Sequence, residues 1–193
     1  QVEPQAAFDR LRTSARWQRN AKGWSLDLAD TTFTQQGLQG SPARASVEFL
    51  DGRASAQVDA LELGPLGSLA MLSGRVPEKA RRWLYLASPR GKVRNVDLRW
   101  NGFEDFSVDA GLDGLSMRSV DGIPGVDPLS GELHGDSEAL LLNLPRQASR
   151  IELPKVFRKA FELSRLDGDV VAWRDAGDWI VRSRQVQTRQ DDV

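Results

Sequence analysis

Alternation with a period of two runs through most of this chain, and it restricts the fold more than any other feature. Trp24, Leu26 and Leu28 alternate with Ser25, Asp27 and Ala29. Ala56, Val58 and Ala60 alternate with Gln57 and Asp59, and Val96, Leu98 and Trp100 with Asn95, Asp97 and Arg99. Phe106, Val108, Ala110 and Leu112 repeat the pattern, as do Leu140, Leu142 and Leu144, then Val170 and Ala172 after Asp167-Gly168. Successive side chains of a strand point to opposite faces, so each segment predicts a strand with one apolar and one polar side, the mark of antiparallel sheet. Residues 44–50 and 55–63 flank Asp51-Gly52, and Asn101-Gly102 separates two further runs. Both dipeptides favour hairpin turns.

The two ends of the chain resemble each other. Trp17 to Leu28 and Trp173 to Arg184 both read as strand, short polar turn containing glycine, and strand, with a tryptophan in each arm. Such a recurrence predicts a piece of a longer repetitive β protein. The start at Gln1 and the stop at Val193 agree with excision from a larger chain.

Helical spacing replaces alternation in one region. Between Pro65 and Ala87 the apolar residues fall three and four apart: Leu66, Leu69, Ala70 and Leu72, then Ala80, Trp83, Leu84 and Ala87. Pro77-Glu78 suits a helix opening, Gly74 divides a short helix from a second, and Ser88-Pro89 closes it. Pro154 to Ala160 predicts a single turn or short helix. Asp113 to Asp136, rich in Gly, Asp and Pro, predicts a loop with a short strand at Leu129–Leu133. The expected organisation is one continuous domain: β-hairpins over 1–64, a helical insertion over 65–91, and continuing antiparallel sheet over 92–193 with a loop around 113–128. The fold class is mainly β, a long curved antiparallel sheet or open, taco-like groove with one inserted helical segment.

Composition removes several chemistries. There is no cysteine, hence no disulfide and no thiolate site. The formal net charge of -1 gives no argument for nucleic acid as a partner, and Lys79, Arg81 and Arg82 read as the wet face of a helix. No run approaches the roughly 18 consecutive apolar residues of a membrane span. The one histidine, His134, has no acid at a recognised spacing around it and reads as an ordinary strand residue. Asp105, Asp109 and Asp113 read as a solvated face and a turn, since calcium loops need denser oxygen donors. Leu66-Gly67-Ser68-Leu69-Ala70 is no nucleophile elbow, and no phosphate-binding glycine motif occurs. The expectation is a protein that is not an enzyme and has no catalytic residue, metal or cofactor.

A one-sided apolar sheet must cover that side or use it. An open trough would give acyl chains a floor, and burying each CH₂ is worth about 0.8 kcal/mol. The floor candidates are Val58, Val96, Leu98, Val108, Leu142 and Val170. The same residues suit the closed core of a structural or protein-interaction β module. A carbohydrate-binding or carbohydrate-active β domain would instead need exposed coplanar tryptophans, with paired acids for hydrolysis. Core or sheet packing is the simpler role for Trp17, Trp24, Trp173 and Trp179.

An ordered set of short motifs narrows the choice. Leu61-Glu62-Leu63-Gly64-Pro65-Leu66, Pro77 to Leu84, and Pro89-Arg90-Gly91-Lys92-Val93 leading to Leu98-Arg99-Trp100 resemble the YhdP family of AsmA-like bacterial envelope proteins. So do Gly122 to Val126 with Leu129 to Leu133, and Leu153 to Phe157 followed by Leu166-Asp167-Gly168 and Trp173. The resemblance implies an interior fragment of a long β-rich periplasmic groove, part of a protein anchored in the Gram-negative inner membrane. It implies support of phospholipid transport between inner and outer membranes, with acyl chains and other envelope proteins as partners. It brings no catalytic residues.

Overall fold

The computed structural model describes residues 10–35, 38–39, 43–64, 78–101 and 104–189. Eleven strands form one sheet: β1 (Arg10–Asn20), β2 (Gly23–Gln35), β3 (Leu38–Gln39), β4 (Ala43–Leu50), β5 (Arg53–Glu62), β6 (Arg90–Trp100), β7 (Phe106–Met117), β8 (Gly125–Asp136), β9 (Ala139–Glu152), β10 (Phe161–Asp175) and β11 (Asp178–Arg189). Ten of them follow one another in chain order from β1 to β11, all antiparallel, while β3 pairs only with β2. The sheet is curved and does not close, and a short helix, α1 (Glu78–Ala87), precedes β6. The mainly β architecture read from the alternation is therefore the observed one.

Local chemistry explains the succession of hairpins. Asp51 (φ 49°) and Gly52 (φ 83°) both take the left-handed conformation that a tight two-residue hairpin turn requires. At the β1–β2 turn, Asn20 Oδ1 accepts the backbone N–H groups of Lys22 and Gly23. Asp136 Oδ1 does the same for Glu138 and Ala139 between β8 and β9. Each side chain replaces a backbone acceptor and fixes where the chain reverses. Helix α1 stops at Ser88, whose φ is 45° and whose N–H still reaches Leu84 O. The buried carbonyl of Ala87 then accepts from Arg118 N–H, tying the helix end to the end of β7.

One expectation changes. The loop expected over Asp113–Asp136 shrinks to residues 118–124, because β7 runs on to Met117 and β8 begins at Gly125. The glycines, aspartates and proline that resemble loop chemistry here serve β-bulges. Gly114 (φ 59°) adds a residue to β7, so Leu112 and Leu115, three apart, meet Gly131 and Leu129 on one side. Asp167-Gly168 likewise lies at a register shift inside β10 rather than at a turn. Of the two alternatives for residues 154–160, a single turn or a short helix, the structure shows the turn, in which Leu153 O accepts from Val156 and Phe157 N–H. The first helix expected near Leu66–Leu72, the Pro77 opening and the Gly102 turn residue lie outside the described residues.

The densest packing lies in β8–β10, away from the hairpin turns. Val126, Leu129, Leu144 and Leu166 form a buried cluster, with Leu115, Met117, Leu142, Ile151, Leu163, Val170 and Val186 packed against it. Gly131 makes room for it: a Cβ there would lie 3.2–3.3 Å from the Leu142 and Leu144 methyl groups and 2.5 Å from Asn143 O. Elsewhere among the described residues the small side chains of Ala43, Ala87 and Ala110 are buried, and the larger apolar side chains are half-buried at most. Among the described residues no second sheet lies over them, and the extensive contacts are all between sheet neighbours.

Candidate functional site

The pairing register shows which side chains stand side by side. Residues directly opposite each other in neighbouring strands project from the same face. One row crosses all ten strands of the meander: Trp17, Leu26, Val47, Ala56, Leu98, Val108, Gly135, Leu140, Ala172 and Val181. Every member is apolar or glycine. A second row on this face runs Ala15, Leu28, Ala45, Val58 and Val96, and continues beyond a bulge at Asn95 as Ala110, Leu133, Leu142 and Val170. At the bulge Asn95 takes φ 49°, a conformation that asparagine tolerates better than most residues.

All six floor candidates therefore share one face of the sheet, as three directly opposed pairs: Val58 with Val96, Leu98 with Val108, and Leu142 with Val170. All six are half-buried. Leu142 and Val170 also pack against the buried cluster, which gives them a structural role that the other four lack.

The opposite face carries a polar row made the same way: Arg16, Asp27, Ser46, Gln57, Asp97, Asp109 and His134, before Leu141, Val171 and Arg182. Gln57 donates to Asp97 at 3.4 Å, and His134 Nδ1 lies 2.7 Å from Asp109 Oδ1. Alongside, Arg94 bonds Glu132 across Gly111, and Asn143 donates to Asp169 at 2.8 Å. The structure thus gives His134 an acidic neighbour that sequence spacing does not reveal, because Asp109 arrives through the β7–β8 register. Both partners are exposed, and exposed pairs of this kind contribute little. Asp105 lies in the β6–β7 turn, where it accepts from the Asn101 side chain, and Asp113 stays within β7. Among the described residues no group of three His, Cys, Asp or Glu is placed to hold a metal ion.

Two of the four tryptophans depart from the expected packing role. Trp17 is 62% exposed and Trp179 43%, so neither is core. Trp24 stacks on Phe49 with centroids 6.3 Å apart. Trp173 stands on the polar face, where the Arg182 guanidinium lies 5.3 Å from its ring. The end hairpins correspond when aligned on their turns rather than on their first tryptophans. In each, an arginine opposes the second tryptophan next to the turn, Arg19 with Trp24 and Arg174 with Trp179. Both pairs continue the apolar face, two residues beyond Trp17–Leu26 and Ala172–Val181. Sequence reasoning passed over these arginines because it weighed the tryptophans alone.

Ionisation at the site is governed by local hydrogen bonds. The backbone N–H groups of Glu138 and Ala139 hold the Asp136 carboxyl below its usual range. Hydrogen bonding to Arg165 does the same for Asp167. No helix among the described residues is long and apolar enough to cross a membrane.

The model of the YhdP protein family matches the chain over residues 1–193. Comparison with curated proteins and with solved structures returns no match.

Proposed function

The chain belongs to the YhdP family, and from that premise we propose that it is a non-enzymatic section of a periplasmic apolar surface along which phospholipid moves between the inner and outer membranes. Membership of that family suggests an envelope protein. In this reading the chain is part of a protein anchored in the inner membrane, and its partners are acyl chains and other envelope proteins.

The observation that carries the reading is the unbroken apolar row from Trp17 to Val181 on a face that no second sheet covers among the described residues. Nine strand spacings of about 4.8 Å make that row roughly 43 Å long. Acyl chains lying on it exchange hydration water for aliphatic contacts, and neighbouring positions offer similar side chains. A tail then shifts from row to row without crossing a polar barrier. Headgroups stay at the wet margin, and no bond is made or broken. A closed interaction module would need a layer over this face, which favours the lipid reading.

The test is to incubate the delipidated 193-residue chain with phospholipid vesicles, re-isolate it, and identify organic extracts by mass spectrometry. Near-stoichiometric phospholipid is the expected result. A protein that repeatedly emerges without lipid would overturn the proposal.

A further inference from the structure

The strand ends form two margins. The tight turns at 20–23, 50–53, 136–139 and 175–178 lie at one, and the end of α1 and the connections 118–124 and 153–160 lie at the other. At this second margin large apolar side chains face solvent. Val156 is 68% exposed, Phe157 45% and Ile123 43%, and Tyr85 and Leu86 are exposed near the end of α1. Single exposed apolar residues are ordinary, but several side by side mark a surface that meets a partner. The structure does set these side by side. The Lys155 side chain lies against Gly122, where a Cβ would come within 2.6 Å of Nζ, so Ile123 and Val156 flank one contact between the two connections. The bond from Arg118 N–H to Ala87 O brings the end of α1 to the same place.

Both connections are held by their own hydrogen bonds. Val120 and Ile123 exchange backbone bonds of 3.2 and 2.9 Å, Ser119 Oγ donates to Ile123 O at 2.8 Å, and Leu153 O accepts from Val156 and Phe157. The apolar tips are thus presented with little further ordering to be done. Phe157 meets Phe161 edge-on, with ring centroids 4.6 Å apart. Phe161 opposes Ile151, Ile151 opposes Val126 and Val126 opposes Met117, a row of the apolar face next to this margin. The apolar face therefore continues through Phe161 and Phe157 to the tip at Val156. Cations surround that tip. Arg118, Lys155, Arg158 and Lys159 are exposed and form no ion pair among the described residues, and Lys79 and Arg82 are exposed on α1. The acids at this margin are Glu78, Asp121, Asp127, Glu152 and Glu162. Asp127 accepts from Ser116, and Arg150 on the polar face pairs with Glu152 at 2.8 Å and Glu162 at 3.1 Å.

We infer that this margin docks on an anionic bilayer surface. Ile123, Val156 and Phe157 enter the boundary between headgroups and acyl chains, while Arg118, Lys155, Arg158 and Lys159 meet the lipid phosphates. Projecting apolar tips ringed by cations suit a fluid interface, which closes around them; a protein partner would need a fitted pocket for each. The docking requires only this patch. Its consequence for transport rests on the lipid reading above: docking sets Phe161 and Ile151, the end of the apolar face, beside the acyl chains of the bilayer, and makes this margin the place where tails pass on or off the sheet.

The test floats the delipidated chain with vesicles of phosphatidylcholine alone or mixed equally with phosphatidylglycerol, then re-isolates it and extracts its lipid. Binding to the anionic vesicles is expected to be at least about tenfold stronger, and to fall as added salt screens the charges. Lys155→Gln with Arg158→Gln and Lys159→Gln should weaken it roughly a hundredfold, at about fivefold per cation. Ile123→Ser with Val156→Ser, which spares the Phe157–Phe161 contact, should weaken it about tenfold. Arg53→Gln with Arg99→Gln, at the opposite margin and about 30 Å away along the strands, should change it less than about twofold. Leu98→Asp, on the floor, should float normally and carry little lipid away. Equal binding to both vesicles, or unchanged binding in either folded variant of the patch, overturns the docking, and lipid uptake that persists then leaves the lipid surface standing. Flotation of the unaltered chain without extractable lipid overturns the lipid reading alone. Self-association that Ile123→Ser with Val156→Ser abolishes, without vesicle binding, would assign the patch to a second copy and also overturn the docking. Should the variants not fold, the comparison of vesicles with the unaltered chain still decides.

Discussion

Single side chains on this sheet do one of two jobs, and their packing partners separate them. Leu98 and Leu142 are both half-buried, but Leu98 lies in the row that crosses every strand of the meander, whereas Leu142 packs against the cluster of Val126, Leu129, Leu144 and Leu166. Leu98→Asp is therefore expected to give a folded protein with little bound lipid. Leu142→Asp should destabilise the fold by about 3 kcal/mol or more, since it places a charge against packed aliphatic groups. Chemical denaturation together with lipid extraction checks both. Normal folding and normal lipid binding in both variants would remove these residues from the floor. Asp136 gives a pH signature. Its carboxyl is held below the ordinary range by the N–H groups of Glu138 and Ala139, so its contribution is present above the unfolded carboxyl pKa and disappears as pH falls through the lower folded value. Asp136→Ala should lower the melting temperature at neutral pH, with the difference shrinking to nothing in strong acid. A difference that stays constant with pH would contradict this.

At the scale of elements, bulges keep one face apolar where strict alternation would fail. Asn95 at φ 49° lets Val93 and Val96, three apart, both serve the apolar face through their partners Leu112 and Val58. Asn95→Val should cost about 1–2 kcal/mol, because a β-branched residue resists that conformation, while Asn95→Gly should cost little. Urea melts of the two variants measure the difference. The bulges also explain what was legible in the sequence. Asp51-Gly52 and the runs around Val58, Leu98 and Val108 showed hairpins and faces directly, since short-range turn chemistry and period-two patterning are local properties. The strand parts at 113–117 and 125–128 were not legible, because Gly114, Asp127 and Pro128 are also what a loop would use. Which residues stand beside His134 or Trp173 depends on register between strands, and register at a bulge leaves no local mark. The match between the two end hairpins was visible, but only the pairing revealed arginine opposite tryptophan as its shared part.

Over the whole molecule, a single curved sheet buries a compact cluster in β8–β10 and leaves a long half-buried apolar surface on the same side. That surface is apolar across all ten strands while the opposite row is polar from β1 to β8, and this asymmetry is the basis of the proposed lipid passage. A photoreactive side chain introduced singly at Val58, Val108 or Val170, or on the opposite face at Gln57, Asp109 or Val171, tests this most directly after illumination with phospholipid vesicles. The account predicts phospholipid adducts at the first three positions and none at the second three; adducts at comparable yield on both faces, or on neither, would contradict it.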